Sequence, residues 1–205
     1  MQIKPKAVIF DLFGTLVRYR IQCHPYRQLL KWAREQGRKP QPNDARTIMT
    51  TNAEIGQLAV HMGIPAPNSL IKKLTDDIEM ELQSLELFDD VEPTLDALQN
   101  KNIQLAICSN LAKPYGAVIP RLLSKYSFAQ FLSYECSFIK PELEIYKLTA
   151  VGLNVSAQQC LFVGDTYLAD YQGPRAAGMS ARHLVRGKER SGDSIAMLTD
   201  LVQDY

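Results

Sequence analysis

The sequence of 205 residues has almost no net charge, because 23 lysine and arginine residues offset 22 aspartate and glutamate residues and leave +1. No global electrostatic field therefore attracts the chain to nucleic acid or to an anionic membrane. Its apolar runs are only a few residues long, far short of the about 20 that cross a bilayer. The first apolar run meets Asp11 before a signal-peptide core can form, so we expect a soluble, cytoplasmic protein with no membrane or nucleic-acid partner.

Cysteine and histidine are scarce, and neither shows the spacing of a metal site. None of the cysteines forms a C-x-x-C pair, and three of them lie in or beside apolar runs that are typical of strands. We expect reduced cysteines that pack as small hydrophobic residues. The residues concerned are Cys23, Cys108, Cys136, Cys160, His24, His61 and His183.

Three near-continuous apolar runs end at or beside a polar residue: residues 6–12 (KAVIFDL), 103–109 (IQLAICS) and 160–165 (CLFVGD). Such runs are typical of parallel strands that helices cover on both faces. Weaker strand candidates are residues 131–136 and 180–185. Helical patterns lie at residues 92–100, 114–126, 142–151, 169–177 and 194–202. This alternation predicts an α/β fold with a doubly wound, Rossmann-like parallel sheet.

Residues 18–87 differ, because they contain only helical periodicity and no apolar strand run. The block interrupts the alternation directly after the first strand, so we interpret it as an inserted helical cap on a core of residues 1–17 and 88–205. Residues 18–39 carry seven positive charges and one negative, whereas residues 72–92 carry two positive and eight negative. Either two solvated helices attract each other, or the basic half faces an anionic substrate.

Polar and charged side chains that can take part in catalysis lie at the ends of the predicted strands or in the loops that follow them. Asp11 ends the first strand, Ser109 and Asn110 end the next clear one, and Asp165 ends a third. Lys140 stands just before Pro141, at the head of a predicted helix. Because the carboxyl ends of parallel strands share one edge of a sheet, we expect these groups to converge. A carboxylate, a hydroxyl, an amide and a cation in one place indicate phosphoryl or acyl-like transfer.

Four motifs in order resemble the haloacid dehalogenase-like hydrolases: DLFGTL at 11–16, CSN at 108–110, KPELEIY at 140–146, and VGDTYLAD at 163–170 followed by GPRAAGM. The resemblance covers nearly the whole chain, and the helical block takes the position of that family's small cap. A flavodoxin-like fold with incidental acids is an alternative. Bacterial receiver domains also combine acids, Ser or Thr, and Lys, but they are shorter and have no cap insertion.

The resemblance implies three catalytic residues. Asp11 is the expected nucleophile, which forms a covalent aspartyl intermediate and so divides one hard displacement into two easier ones. Ser109 is expected to donate a hydrogen bond to an oxygen of the transferred group, with help from the Asn110 N–H. Lys140 is expected to neutralise the negative charge of Asp11 and the substrate.

The resemblance also implies substrate contacts and a metal. Gly14 lets the backbone turn beside the substrate, and Thr15 is expected to orient Asp11. Arg18 and Arg20 follow the nucleophile loop, and arginine is suited to bind phosphate or carboxylate. The expected cofactor is Mg²⁺, with an oxygen ligand set of Asp11, the Phe13 carbonyl and Asp165; Asp170 binds through a water or orients Lys140. The substrate contacts are thus Phe13, Gly14, Thr15, Asn110 and Arg18.

One position departs from the family's phosphatases. They carry a second aspartate two residues after the nucleophile, which protonates the leaving group, and this chain has Phe13 there. Loss of a positioned acid costs about 10²–10⁴ in rate. In the 2-haloacid dehalogenases of the same superfamily the position is aromatic, because a departing halide needs no proton. The first motif therefore favours a dehalogenase.

The fourth motif favours a metal-dependent phosphatase. Asp165 and Asp170 would repel Asp11 without a cation, and Lys140 alone cannot balance three acids. We therefore expect Mg²⁺-dependent hydrolysis of a small phosphate monoester by a monomer or homodimer. The alternatives are a metal-independent 2-haloacid dehalogenase and a catalytically weak module that binds a phosphometabolite or a protein partner.

The basic stretch at 182–190 is predicted to be a solvated loop.

Overall fold

The computed structural model describes residues 4–187 and 192–203. The strands are β1 (Ala7–Phe10), β2 (Val17–Arg18), β3 (Glu86–Leu87), β4 (Gln104–Ser109), β5 (Phe128–Leu132), β6 (Cys160–Gly164), β7 (Ser180–Leu184) and β8 (Ser194–Ile195). The helices are α1 (Pro25–Glu35), α2 (Asp44–Thr50), α3 (Ile55–His61), α4 (Asn68–Ser84), α5 (Val91–Asn100), α6 (Val118–Leu122), α7 (Ser133–Cys136), α8 (Leu143–Gly152), α9 (Gly173–Ala176) and α10 (Asp200–Gln203). Short 3-10 turns occupy Lys113–Ala117 and Ala157–Gln159, and a π-helical turn occupies Tyr167–Gln172.

Six strands form one parallel sheet in the order β5-β4-β1-β6-β7-β8. In the register of the ladders, Phe10 lies opposite Ile107 on one side and Val163 on the other. The residues that follow β1, β4 and β6 therefore emerge at one edge of the sheet. This arrangement places the polar ends of the three central strands side by side.

Both faces of the sheet are covered, as the unbroken apolar runs predict. Because side chains alternate along a strand, Val8 and Phe10 point to one layer, while Ala7 and Ile9 point to the other. The first layer includes buried residues of α5, α6 and α10, and the second includes those of α8. The predicted doubly wound α/β fold with inserted helices is confirmed.

Helices α1 to α4 lie between β2 and β3, which pair as a two-residue antiparallel ribbon. Apolar residues of α1, α3 and α4 form a small core of their own, whereas Ile48 of α2 packs in the main core. Gln28 on α1 and Lys73 on α4 both donate to Asp77 Oδ2, at 2.8 and 2.7 Å. The packing of α1 on α4 therefore includes a polar bridge between their oppositely charged faces. The core consists of Leu29, Ala33, Ile55, Ala59, Ile64, Leu74 and Ile78.

Two predicted elements are wrong in part. The strand predicted at 131–136 is β5, which ends at Leu132 because its ladder with β4 ends there, and the chain continues as α7. The helix predicted at 194–202 begins as β8, because Ser194 and Ile195 pair with the outer edge of β7. In that segment only α10 is helical.

All four cysteines are free thiols. Burial raises the pKa of the Cys108 thiol to about 12 and that of the Cys160 thiol to about 11, so both stay protonated and unreactive at neutral pH. Within residues 4–187 and 192–203, no helix combines the length and the apolar character that a membrane crossing requires.

Candidate active site

Asp11 stands directly after β1, and its amide continues the ladder by donating to the Val163 carbonyl at 2.9 Å. Asp11 is only 8% exposed to solvent. Ser109, the last residue of β4, donates from its hydroxyl to Asp11 Oδ1 at 2.9 Å. The parallel register thus brings a buried carboxylate and a hydroxyl from adjacent strands into contact.

Lys140 lies between two carboxylates. Its ammonium donates to Asp11 Oδ1 at 2.7 Å and to Asp170 Oδ1 at 2.6 Å, and the residue is 4% exposed. Burial alone would lower the pKa of Lys140, but the charges of Asp11 and Asp170 more than offset it and hold the pKa above the ordinary lysine value. Lys140 is therefore a fixed cation throughout the neutral range.

Asn110 holds the backbone of Lys140 in place. The Lys140 amide donates to Asn110 Oδ1 at 2.7 Å, and Asn110 Nδ2 donates to the Lys140 carbonyl at 2.8 Å. The side chain of Asn110 therefore fixes the lysine on both sides of its Cα. The substrate contact expected from the Asn110 N–H stays a prediction.

Two acids that follow β6, Asp165 and Asp170, lie where a negative charge is unfavourable. Asp170 is 1% exposed, and its Oδ2 accepts the Thr166 amide at 2.9 Å. Burial raises the pKa of Asp170, and Lys140 opposes that rise. Burial and the neighbouring charge of Asp11 also raise the pKa of Asp165. Each of these two carboxylates therefore takes up a proton more readily than an ordinary aspartate.

The three carboxylates fit a hard divalent cation. One oxygen from each of Asp11, Asp165 and Asp170 lies within 4.8 Å of the others. Both oxygens of Asp170 already accept hydrogen bonds, as does Asp11 Oδ1. Three carboxylates and one ammonium leave two negative charges uncompensated, and oxygen ligands suit Mg²⁺. The donor set thus matches the predicted metal, with Asp11 and Asp165 better placed for direct contact than Asp170.

The loop after Asp11 turns tightly against Asp165. Gly14 has a φ of +80°, and its amide donates to the Val17 carbonyl at 2.8 Å. A Cβ at this position would collide with the Asp165 carboxylate. The absence of a side chain therefore allows both the left-handed turn and the approach of the loop to the acid.

Phe13 belongs to an aromatic cluster. Its ring stacks on Tyr19 at a centroid distance of 5.0 Å and meets the edge of Tyr115 at 5.8 Å. Burial raises the pKa of both tyrosine hydroxyls, so neither is a stronger acid than an ordinary tyrosine. The position two residues after Asp11 is thus occupied by an aromatic side chain that packs against two other aromatic rings. The metal contact expected from the Phe13 carbonyl stays a prediction.

Arg18 and Arg20, which follow the nucleophile loop, both pair with Glu86. Arg18 Nε donates to Glu86 Oε1, and Arg20 Nη2 lies 2.8 Å from the same oxygen. Hydrogen bonds to Arg20 and Arg18 hold the pKa of Glu86 below its usual value. Both arginines are therefore paired with Glu86 of the β2–β3 ribbon. The substrate contact expected from Arg18 stays a prediction.

The expected orientation of Asp11 by Thr15 is corrected. The Thr15 hydroxyl is buried and has no hydrogen-bond partner among residues 4–187 and 192–203. Its carbonyl instead accepts from Arg186 Nη2 at 2.7 Å. Thr15 is thus a backbone anchor of the nucleophile loop.

Arg186 is a structural residue that the sequence did not reveal. Its guanidinium donates to both oxygens of Asp90, at 2.9 and 3.0 Å, and lies 3.8 Å from the centroid of the Phe88 ring. The interpretation of 182–190 as a solvated loop is therefore wrong at 182–184, which belong to β7, and at Arg186, while residues 188–190 lie outside the described residues. The partners are 96 positions apart in the chain, and no local pattern signals such a pair.

Comparisons with known proteins agree with this geometry. A family model that describes the haloacid dehalogenase-like hydrolases matches residues 5–178 of the sequence. The phosphoglycolate phosphatase of Escherichia coli K12 is 29% identical over 164 residues, which cover 77% of this chain and 60% of that protein. The chain spans between 38% and 60% of the length of the first curated relatives that it matches.

Two solved structures share the fold. The HAD-hydrolase YfnB from Bacillus subtilis, bound to magnesium, superposes with a TM-score of 0.67 at 17% identity and covers 98% of this chain and 99% of its own. A 2-haloacid dehalogenase from Pseudomonas syringae pv. Tomato superposes with a TM-score of 0.63 at 22% identity, over 97% of both chains. At these identities the likeness establishes the fold alone.

Proposed function

Because this chain belongs to the haloacid dehalogenase-like hydrolases, we propose that it hydrolyses a small phosphate monoester through phospho-Asp11, with Mg²⁺ as cofactor. The observation that carries this choice is the charge of the site. Three carboxylates lie within 4.8 Å of one another, and Lys140 is the one cation hydrogen-bonded to them in the part of the chain that the structure describes. A monoanionic haloacid would leave that repulsion unrelieved.

In the first chemical step, an Asp11 oxygen attacks phosphorus, the ester P–O bond breaks, and its electron pair departs with the alcohol oxygen. Lys140 and Ser109 both donate to Asp11 Oδ1, so they hold the carboxylate in one orientation. The same two donors lie beside the negative charge that develops on the transferred group, where preformed donors are most effective.

In the second step, water attacks phosphorus, the Asp11–phosphorus bond breaks, and inorganic phosphate leaves. Asp11 returns to its ionised form, still held by Lys140. Asp11, the Phe13 carbonyl and Asp165, with Asp170 beside them, would hold Mg²⁺, which would supply positive charge for the carboxylates and the phosphoryl oxygens. The two steps replace one displacement by two easier ones.

The substrate class follows from Phe13. With no carboxylic acid two residues after Asp11, the leaving oxygen must depart without that proton, so esters with acidic leaving groups such as aryl and acyl phosphates are the preferred substrates. Residues 18–87 serve as a cap that encloses this small anionic substrate. The phosphoglycolate phosphatase relative supports a phosphate ester as the substrate.

Metal-independent 2-haloacid dehalogenation is the second candidate function. It is favoured by Phe13, because a departing halide needs no proton, and by the likeness of the fold to a 2-haloacid dehalogenase. A third candidate is a phosphometabolite-binding or partner-binding module. The presence of Asp11, Ser109 and Lys140 in one hydrogen-bonded group speaks against it.

One screen separates these functions. The protein is incubated with an aryl phosphate or with 2-chloropropionate, each with Mg²⁺ and with a chelator, and Asp11→Asn serves as the control for contaminating activity. We expect phosphate release that needs both Mg²⁺ and Asp11. Chloride release that survives the chelator, without phosphate release, would establish the dehalogenase instead. Failure to release either product and to bind a phosphate mimic such as beryllium fluoride would remove both enzymatic functions.

A further inference from the structure

We infer that Arg46 is a positioning residue, which ties helix α2 of the inserted block to the loop that carries Lys140. The inference deepens the proposed function, since it rests on the role of Lys140 in phosphoryl transfer. Arg46 touches neither Asp11 nor Lys140 directly, and its effect is transmitted through the loop backbone.

The guanidinium of Arg46 spans the loop on both sides of the lysine. Its Nε donates to Glu142 Oε1 at 2.7 Å, and its Nη2 donates to Glu142 Oε2 at 3.1 Å and to the Ser137 carbonyl at 3.0 Å. Ser137 precedes Lys140 by three residues, and Glu142 follows it by two. One planar side chain thus fixes both ends of a six-residue segment, a task that suits arginine's rigid fork of donors.

Glu142 transmits the contact to the lysine's neighbour. Its Oε2 also accepts the Ile139 amide at 3.1 Å, and the Glu142 amide donates to the Ile139 carbonyl at 2.8 Å. Ile139, directly before Lys140, is therefore held to the Glu142 carboxylate, and that carboxylate is held by Arg46. On the opposite side, Asn110 fixes the Lys140 backbone.

A second contact joins α2 to α7, the helix that leads into the same loop. The buried Ser133 hydroxyl donates to the Met49 carbonyl at 2.6 Å and accepts the Leu111 amide at 3.0 Å. Leu111 adjoins Asn110, the residue that braces Lys140. Helix α2 therefore meets the segment 133–142 at Ser133, Ser137 and Glu142, and Ser133 in turn contacts Leu111 beside Asn110.

The consequence is positional more than energetic. The Arg46–Glu142 pair is partly exposed, and such pairs contribute little to stability. Lys140, in contrast, must sit within hydrogen-bond distance of two carboxylates, and a displacement of about 1 Å in an active site can cost on the order of 10²-fold in rate. The lysine is therefore fully positioned only when α2 rests on the loop, which couples the inserted helices to the catalytic cation.

The test compares Arg46→Ala and Arg46→Lys with a matched control, Lys113→Ala. Lys113 forms an ion pair of 3.3 Å with Glu54, which also joins the inserted helices to the core and, unlike the Arg46 pair, does not include a residue of the segment 137–142. Phosphate release from an aryl phosphate gives kcat and KM. Amide hydrogen exchange over residues 137–142 reports the position of the loop without requiring activity.

We expect Arg46→Ala to lower kcat by about 10- to 100-fold and to change KM by less than about 3-fold, since a ground-state contact with substrate is not lost. Exchange over residues 137–142 should become faster, while Lys113→Ala changes neither readout. The kcat and the exchange rate of Arg46→Lys should fall between those of the parent protein and those of Arg46→Ala, because a single ammonium cannot reproduce the bidentate contact. Exchanging the charges, with Arg46→Glu and Glu142→Arg together, should recover part of kcat.

Unchanged exchange over residues 137–142 in Arg46→Ala overturns the inference, as does a rise in KM with kcat intact, which would mean a direct substrate contact. If the parent protein releases no phosphate from any ester, the proposed function fails by itself. The exchange measurement then still decides whether Arg46 positions the loop.

Discussion

Replacement of Lys140 by methionine is the perturbation that the buried ion pairs make most informative. Methionine keeps most of the lysine's volume, so the change removes charge and hydrogen bonds with little loss of packing. It leaves Asp11 and Asp170, which are 8% and 1% exposed, facing each other without a cation. The measurement is made with a chelator present, so that no metal ion compensates for the lost charge.

The size of the effect follows from the distances. At 2.6 and 2.7 Å, each contact of Lys140 is worth about 6 kcal/mol of Coulomb energy at an effective dielectric constant of about 20. Desolvation of the three groups offsets much of this, and loss of one partner from a buried pair costs about 3–5 kcal/mol. For a chain of this length that loss lowers Tm by about 6–20 °C.

Urea unfolding followed by circular dichroism measures the loss at neutral pH. Lys147→Met, which removes an exposed lysine from α8, is the matched control and should lie within about 0.5 kcal/mol of the parent. Adding Asp170→Asn to Lys140→Met removes one of the stranded charges and should recover about 1–3 kcal/mol through their coupling. The reasoning is refuted if Lys140→Met costs less than about 1 kcal/mol, or if Asp170→Asn adds a further loss.

Three further predictions concern single side chains. Asp165→Asn should weaken Mg²⁺ binding in a calorimetric titration; equal affinity would contradict the ligand assignment. Because the folded protein raises the pKa of Asp165, ionisation of this acid costs stability as pH rises through that value, so Asp165→Asn should stabilise the metal-free protein at neutral pH and lose this advantage below the ordinary aspartate pKa of about 4. Phe13→Asp should raise turnover of alkyl phosphates by up to about 10²–10⁴ and flatten the dependence of rate on leaving-group pKa; an unchanged slope would show that the missing acid is not limiting. Arg18→Ala should leave KM within about 2-fold and lower stability by at most about 1 kcal/mol, because Arg18 is paired with Glu86; a large rise in KM would establish it as a substrate contact.

The sheet and its polar edge were predictable because their signals are local. Each central strand is an unbroken apolar run, and parallel strands bring their carboxyl ends to one edge, so the proximity of Asp11, Ser109 and Asp165 follows from periodicity and topology. Lys140, which precedes a predicted helix, was also expected to converge on this edge, and the resemblance implied its role.

Contacts between distant segments were not predictable from local patterns. Thr15 was expected to orient Asp11, yet its hydroxyl has no partner among the described residues and its carbonyl accepts from Arg186, which follows β7. The pairing of Arg18 with Glu86, 68 positions away, was not predicted either. Likewise, β8 was mistaken for a helix because two residues that pair with a sheet edge carry no periodic signal. Which partner such a residue finds depends on the assembled fold.

Mass spectrometry of the acid-quenched protein during turnover tests the central claim most directly. With an aryl phosphate and Mg²⁺, the account predicts a peptide containing Asp11 that is heavier by one phosphoryl group, with no such mass in Asp11→Asn or with the chelator. The same peptide carrying a propionate ester after incubation with 2-chloropropionate, and no phosphoryl group under any condition, would contradict it.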